Sequence, residues 1–264
     1  METIACPDCS PEDLPVPDVP LWVVLFAFAA FLLAGFVKGF IGMGLPAIAT
    51  GLLTMMMAPG QAAALLVIPN AATNAWQALT GKHLLPLLRR FWPMLLGICV
   101  GTAPGAGFLA SDSSGRATTA LGIMLCLYAL FSLLSLPLRV PQEAEWWLAP
   151  LIGALTGLLS VLTGVFVIPL VPYLNALSLR RDELIQALGL SLLTSAAALA
   201  VALAREGALP ISLLGASVFA LAPAGVGVLL GQWLRQRTHP AVFVRVFAAG
   251  LLLIGLHLAL RNLT

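Results

Sequence analysis

Gly35-Phe36-Val37-Lys38-Gly39-Phe40-Ile41-Gly42-Met43-Gly44-Leu45-Pro46 interrupts an otherwise apolar run from Leu21 to Met57. A second run, Trp146 to Ala176, is broken in the same manner by Gly153, Gly157, Thr163, Gly164 and Pro169. In a bilayer, unwound backbone must be buried in protein or line a cavity, because lipid offers it no hydrogen bonds. Paired, Gly/Pro-interrupted segments at corresponding places in two halves point to a transporter's substrate site.

Composition agrees with a membrane setting. Of 264 residues, 60% are apolar and only 9% are charged, against roughly 25% charged in soluble domains. So few charges could not cover a water-exposed surface. The chain is therefore expected to be an all-α, polytopic integral membrane protein, with the lipid bilayer as its main partner. The net charge of +2 gives no reason to expect a nucleic-acid partner.

Residues 1 to 20 form an acidic, proline-rich tail without Lys or Arg. A secretory signal begins with a positive region, so Leu21 onward is expected to stay in the membrane. Cys6 and Cys9 make a lone CxxC pair in this tail, open to a disulfide, to half of an intersubunit metal site, or to no role. Without a second ligand cluster, no metal site and no cofactor is expected. Cys99 and Cys126 lie in apolar segments and read as packing residues.

Further apolar segments lie near Ala62–Leu79, Leu84–Leu109, Ala117–Leu136, Leu184–Ala204, Leu209–Leu230 and Val242–Leu260. Each approaches the ~20 residues of a spanning helix. Single crossings of the two interrupted stretches would give eight spans; hairpins would give ten helical segments. Cytoplasmic loops carry the excess of Lys and Arg. With the acidic tail outside, single crossings divide these residues six against six. Hairpins place Lys82, Arg89, Arg90, Arg139, Arg180, Arg181, Arg235, Arg237 and Arg245 inside, and only Arg116, Arg205 and Arg261 outside. The bias favours hairpins. Five segments per half then make the second half enter from the opposite face, as an inverted repeat.

The expected organisation is a tail (1–20), a first membrane repeat (21–136), a connecting loop (137–146) and a second repeat (147–262). Gly35 and Gly39 match Gly153 and Gly157 at an offset of 118, and Pro86, Gly101 and Gly107 match Pro210, Gly225 and Gly231 at 124. The hairpin arms, above all Trp146–Ser160 and Val165–Ala176, read as short. At 1.5 Å per residue, arms of about 12 to 15 residues reach only ~18–22 Å into a ~30 Å core. Two tips of that length could meet near the midplane.

The first tip offers Lys38, Gly39, Gly42 and Gly44, with backbone amides and a helix start suited to an anion. Lys38 is the only charge in its stretch, and a buried cation is usually paired or functional; the alternative is snorkelling to headgroups from the turn. The second tip offers Ser160, Thr163 and Gly164, with no charge. With no carboxylate present, the combined site suits a small oxyanion. The alternative for these small residues is close helix packing alone. Asn70, Thr73, Asn74 and Gln77 share one helical face after the first hairpin. Gln186, Ser191, Thr194 and Ser195 are their rough counterparts. Asn70, Asn74 and Thr194 are the residues expected to touch substrate.

All eleven acidic residues fall in the tail or in loops, so no proton relay is evident; the lone His257 in a span reads as structural. There is no P-loop, G-x-S-x-G, intramembrane Asp pair or HExxH. An enzyme is therefore not expected. A scaffold or sensor subunit, binding a partner through the tail, is the alternative to a transporter.

The run Gly35 to Gly44, followed by Leu52-Leu53, resembles the opening motif of the sulfite exporter TauE/SafE family, also called the 4-toluene sulfonate uptake permease family. Gly153-x-x-x-Gly157, Thr163-Gly164 and Pro169-Leu170 are similar to that family's repeat of the motif. The resemblance covers about residues 21 to 262. It implies transport of sulfur-containing anions such as sulfite, organosulfonates or thiosulfate, often outward. It also implies a multi-pass protein of a bacterial-type inner membrane, and both termini are expected on the extracytoplasmic side.

Overall fold

The computed structural model of the protein describes residues 20–105, 116–134, 139–165, 167–208, 211–235, 237 and 240–260. The tail with Cys6 and Cys9, and Arg261, lie outside the described residues. Those described form ten α-helices and no strand. In chain order they are α1 (Leu21–Ile41), α2 (Leu45–Leu53), α3 (Pro59–Leu79), α4 (Leu84–Thr102), α5 (Arg116–Leu134), α6 (Gln142–Thr163), α7 (Leu170–Ala176), α8 (Arg181–Arg205), α9 (Ile211–Arg235) and α10 (Pro240–Leu260); a single 3-10 turn, Ala103–Gly105, follows α4. Among the described residues, six helices are long and apolar enough to cross a membrane: α1, α4, α5, α6, α8 and α9.

The chain breaks at the glycine clusters, but not through their whole length. α1 ends where Gly42 takes φ 94°, and α2 begins after Gly44 at φ 103°. Both values are left-handed, where a Cβ would strain the backbone. α6 ends at Gly164 with φ 73°. Gly35, Gly39, Gly153 and Gly157 instead lie inside α1 and α6. The expected short arms are therefore corrected on the entering side: α1 and α6 have 21 and 22 residues, whereas α2 and α7 have 9 and 7. A helix of 21 residues is about 31 Å long, enough to reach across a hydrocarbon core. Only the returning arms are short. Glu143, Glu145, Asp182 and Glu183, expected in loops, stand in the first turns of α6 and α8, where a negative charge faces the positive helix end.

The mid-helix glycines exist for packing. A Cβ on Gly35 would stand 2.2 Å from the Ala224 carbonyl oxygen, and one on Gly39 2.1 Å from that of Val228. From the other side, Gly227 and Gly231 would meet the carbonyls of Leu32 and Phe36 at 2.2 and 2.0 Å. The α1–α9 seam is thus a zipper of glycines against backbone, the arrangement by which membrane helices gain van der Waals contact. α4 and α6 repeat it: Gly153 and Gly157 face the Met94 and Ile98 carbonyls, and Gly97 and Gly101 face those of Pro150 and Ala154. A second glycine echo shows in the packing: Gly97 and Gly101 on α4 and Gly227 and Gly231 on α9 are seam glycines 130 positions apart, preceded by Pro93 and Pro223.

These contacts fix directions. Position numbers rise together along both seams, so α1 runs parallel to α9 and α4 parallel to α6. α3 is also parallel to α9, since Leu65 and Ile68 meet Ser217 while Thr80 lies toward Gln232 and Arg235. α3 and α8 are antiparallel, with Gly81 against Gln186 and Ala78 against Gly189. α5 and α10 are antiparallel too, with Gly122 near Ala259 and Cys126 near Leu252. Because α1 and α3 share a direction, α2 must return between them.

Candidate functional site

Lys38 sits three residues before the end of α1 and is only 4% exposed. Its ammonium donates to the Asn74 side-chain oxygen on α3. The Asn74 amide in turn donates to Asn70 Oδ1 at 2.9 Å, one helical turn earlier. Both asparagines are buried. No carboxylate among the described residues pairs with Lys38; the ion pair seen there joins Arg90 to Glu145 at 2.6 Å. The Lys38 amine is held here by one neutral amide, that of Asn74, with no ion-pair partner among the described residues; a buried lysine of this kind is costly unless it is used. Snorkelling is not what the side chain does.

Lys38 lines a cleft of about 420 Å³ between α3 and α9. Trp76, Leu221 and Val228 supply apolar wall, Gln77 and Gln232 supply amides, and Arg235 stands toward the end of α9. The lining holds two cations and no carboxylate. Gln77 Nε2 donates to the Gly42 carbonyl at 3.2 Å and to the Ile185 carbonyl at 2.8 Å. One side chain thus satisfies an orphan carbonyl at the first tip and ties that tip to α8. Gln186, which donates to the Ala78 carbonyl and accepts from the His83 N–H, is a fastener between α3 and α8.

The expected site residues divide. Lys38, Asn74 and Asn70 form one connected chain, and Gly42 lines the same cleft as Lys38. Gly39 also borders the cleft, yet its Cα is pressed on Val228, so its first role is to let α1 and α9 close. Gly44 packs near Phe247. The hydroxyls of Ser160 and Thr163 are not free donors: Ser160 Oγ donates to the Gly157 carbonyl at 2.7 Å, and Thr163 Oγ1 to that of Leu159 at 2.8 Å. They close the end of α6. Thr194 lies apart, in a second cavity of about 640 Å³ between α4 and α8 that also holds Thr102, Arg205 and Glu206. That cavity sits toward the C-terminal end of α8, opposite in direction to α3. His257 is exposed on α10.

A separate void of only about 10 Å³ is lined by Pro46, Leu66, Asn70, Gly164 and Leu199 among others. That is near the lower limit for one water. It brings both tips to one place, Pro46 from the first and Gly164 from the second, with Asn70 beside them. The polar chain from Lys38 thus ends, at Asn70, on a mostly apolar and nearly closed seam.

Sequence reading left Gln77, Gln232 and Arg235 out of the site. The signal was available for the last two: with Val228 they follow an i, i+4, i+7 spacing that places them on one face of a helix.

The family model described as sulfite exporter TauE/SafE matches residues 27–258. That range takes in nearly the whole membrane region, so the chain belongs to this family of membrane transporters. No curated protein and no solved structure matches it.

Proposed function

We propose that this TauE/SafE-family protein carries small sulfur-containing anions, sulfite or organosulfonates, out across the cell membrane, with Lys38 as the anchor for the anion. The observation that carries this reading is a buried lysine amine, without a carboxylate partner among the described residues, on a cleft whose lining holds two cations and no acid. An anion entering such a cleft supplies the counter-charge. Gln232 supplies an amide at the lining, Asn74 orients the Lys38 amine, and the seam at Asn70, Gly164 and Leu199 is the barrier the anion must pass. Export of one negative charge from a cell that is negative inside is favoured by about 2.3 kcal/mol per 100 mV. A hundredfold gradient requires about 2.7 kcal/mol, so the potential alone is of the right size.

The expected result in proteoliposomes of the purified protein is saturable sulfite or sulfonate flux that responds to an imposed potential. Absence of flux for every sulfur oxyanion tried would remove the proposed substrate class.

The two halves are read as inverted repeats, residues 21–136 and 147–262. Support comes from helix direction: α1, α3 and α9 run one way and α4, α6 and α8 the other, and α5 opposes α10, so each of these eight helices opposes its counterpart five helices away. Nine of the eleven loop and helix-end cations among the described residues then gather at one end of the bundle, which the positive-inside rule makes cytoplasmic. The Lys38 cleft faces the same end, and on this reading the termini are extracytoplasmic. Cysteines placed at Lys82 and Arg139 should react with a membrane-impermeant thiol reagent from the cytoplasmic side, and one at Arg205 from the outer side. The opposite pattern at all three positions reverses the topology.

A further inference from the structure

Pro69 stands inside α3, directly before Asn70 and one turn before Asn74. Proline has no N–H. The carbonyl four residues earlier, that of Leu65, therefore loses its helical donor. Ser217 of α9 fills the gap: its Oγ–H donates to the Leu65 carbonyl at 2.7 Å, and its Oγ accepts from the Ile68 N–H at 3.1 Å. Ser217 is fully buried. In apolar surroundings a freed backbone group must find another partner, and a neighbouring helix's serine can supply it.

The location gives this repair a consequence. Before Pro69, α3 is fastened to α9. Just beyond it the two helices border the cleft, and the second half of α3 carries the asparagines that hold Lys38. From this we infer that Ser217 is a positioning residue of the anion site: by replacing the hydrogen bond that Pro69 lacks, it sets the direction of the Asn70–Gln77 segment and, through Asn74, the place of the Lys38 ammonium. The inference rests on reading Lys38 as the anion's anchor, but its core, the coupling of Ser217 to Pro69, does not.

The test is a double-mutant cycle on the full chain, read as unfolding temperature and as the KM and maximal rate of sulfite flux. Ser217→Ala should lower the unfolding temperature by roughly 5 °C and raise KM about tenfold, with a smaller change in maximal rate. Ser217→Thr, which keeps the hydroxyl, should restore both. Pro69→Ala returns an N–H to the Leu65 carbonyl, so adding Ser217→Ala to it should change little. Equal losses from Ser217→Ala in the wild-type and Pro69→Ala backgrounds overturn the inference, as does an unchanged KM in a folded Ser217→Ala protein. If wild-type protein moves no sulfite, the substrate reading fails separately, and the unfolding arm alone decides: coupling upholds the Ser217–Pro69 pairing and additivity overturns it.

Discussion

Lys38→Met should abolish most anion affinity while leaving the protein folded. The Lys38 amine is the buried one of the two cationic side chains that line the cleft, and a hydrogen bond from a charged donor contributes about 1.5–3 kcal/mol. Its loss corresponds to a roughly 10- to 150-fold weaker Kd. Methionine retains the length and apolar stem, so the packing around α1 persists. Stability should move little, because two effects oppose. Removing a buried cation that has no ion-pair partner relieves a desolvation penalty, whereas Asn74 Oδ1 loses its donor at a cost of about 1–3 kcal/mol. Asn74→Leu alone should be worse for folding than Lys38→Met, since it strands the charge. Combining the two should return stability toward wild type without returning flux. Folded yield, unfolding temperature and sulfite flux for the three variants check this. Full flux in Lys38→Met would take Lys38 out of the site.

Gly39→Ala should damage the fold more than Gly42→Ala, although only three residues separate them. At Gly39 the added Cβ meets backbone, the Val228 carbonyl oxygen at 2.1 Å, which no rotamer change relieves. α1 and α9 must part, at an overpacking cost of about 1–3 kcal/mol or more. At Gly42 nothing lies within 4 Å of such a Cβ, and the penalty is the left-handed backbone alone, about 1–2 kcal/mol. The seam also predicts non-additivity. Once Gly39→Ala has separated α1 from α9, Gly231→Ala on the same seam should add little. Gly157→Ala, on the separate α4–α6 seam, should add its full effect. Thermal unfolding of the single and paired variants measures this. Additive losses along one seam would mean the glycines act locally rather than by setting helix separation.

The class of fold was legible because its cause is compositional. Too few charges to cover a surface, and apolar runs of spanning length, leave little else. The places where the chain breaks were also legible, since Gly42, Gly44 and Gly164 adopt backbone angles that disfavour a side chain. What misled was that seam glycines and turn glycines are the same residue. Gly35 and Gly39 read as part of a tip, yet they lie in an unbroken helix; only a neighbouring backbone or a positive φ tells the two uses apart. One overlooked signal was present. Pro93, Gly97 and Gly101 recur as Pro223, Gly227 and Gly231 with the same spacing, a closer echo than the offset of 124 taken from Pro86, Gly101 and Gly107.

Site residues followed the same division. Lys38 and the Asn70–Asn74 face stood out in sequence because a charge or an amide row in an apolar segment is costly unless used. Ser160 and Thr163 stood out for the same reason, but their hydroxyls serve the carbonyls of their own helix, a local alternative that sequence leaves open. By itself, then, the sequence determined that the chain is a helical membrane protein, where its helices break and which single charge stands in an apolar stretch, because each follows from solvation and backbone sterics acting locally; that this charge is buried came from the tertiary structure. Tertiary structure alone decided that Lys38 meets Asn74, that Arg235 and Gln232 join its cleft, and that Ser217 completes the helix broken by Pro69, because those pairings join residues 36 to 197 positions apart and exist only once glycine seams set the helices side by side.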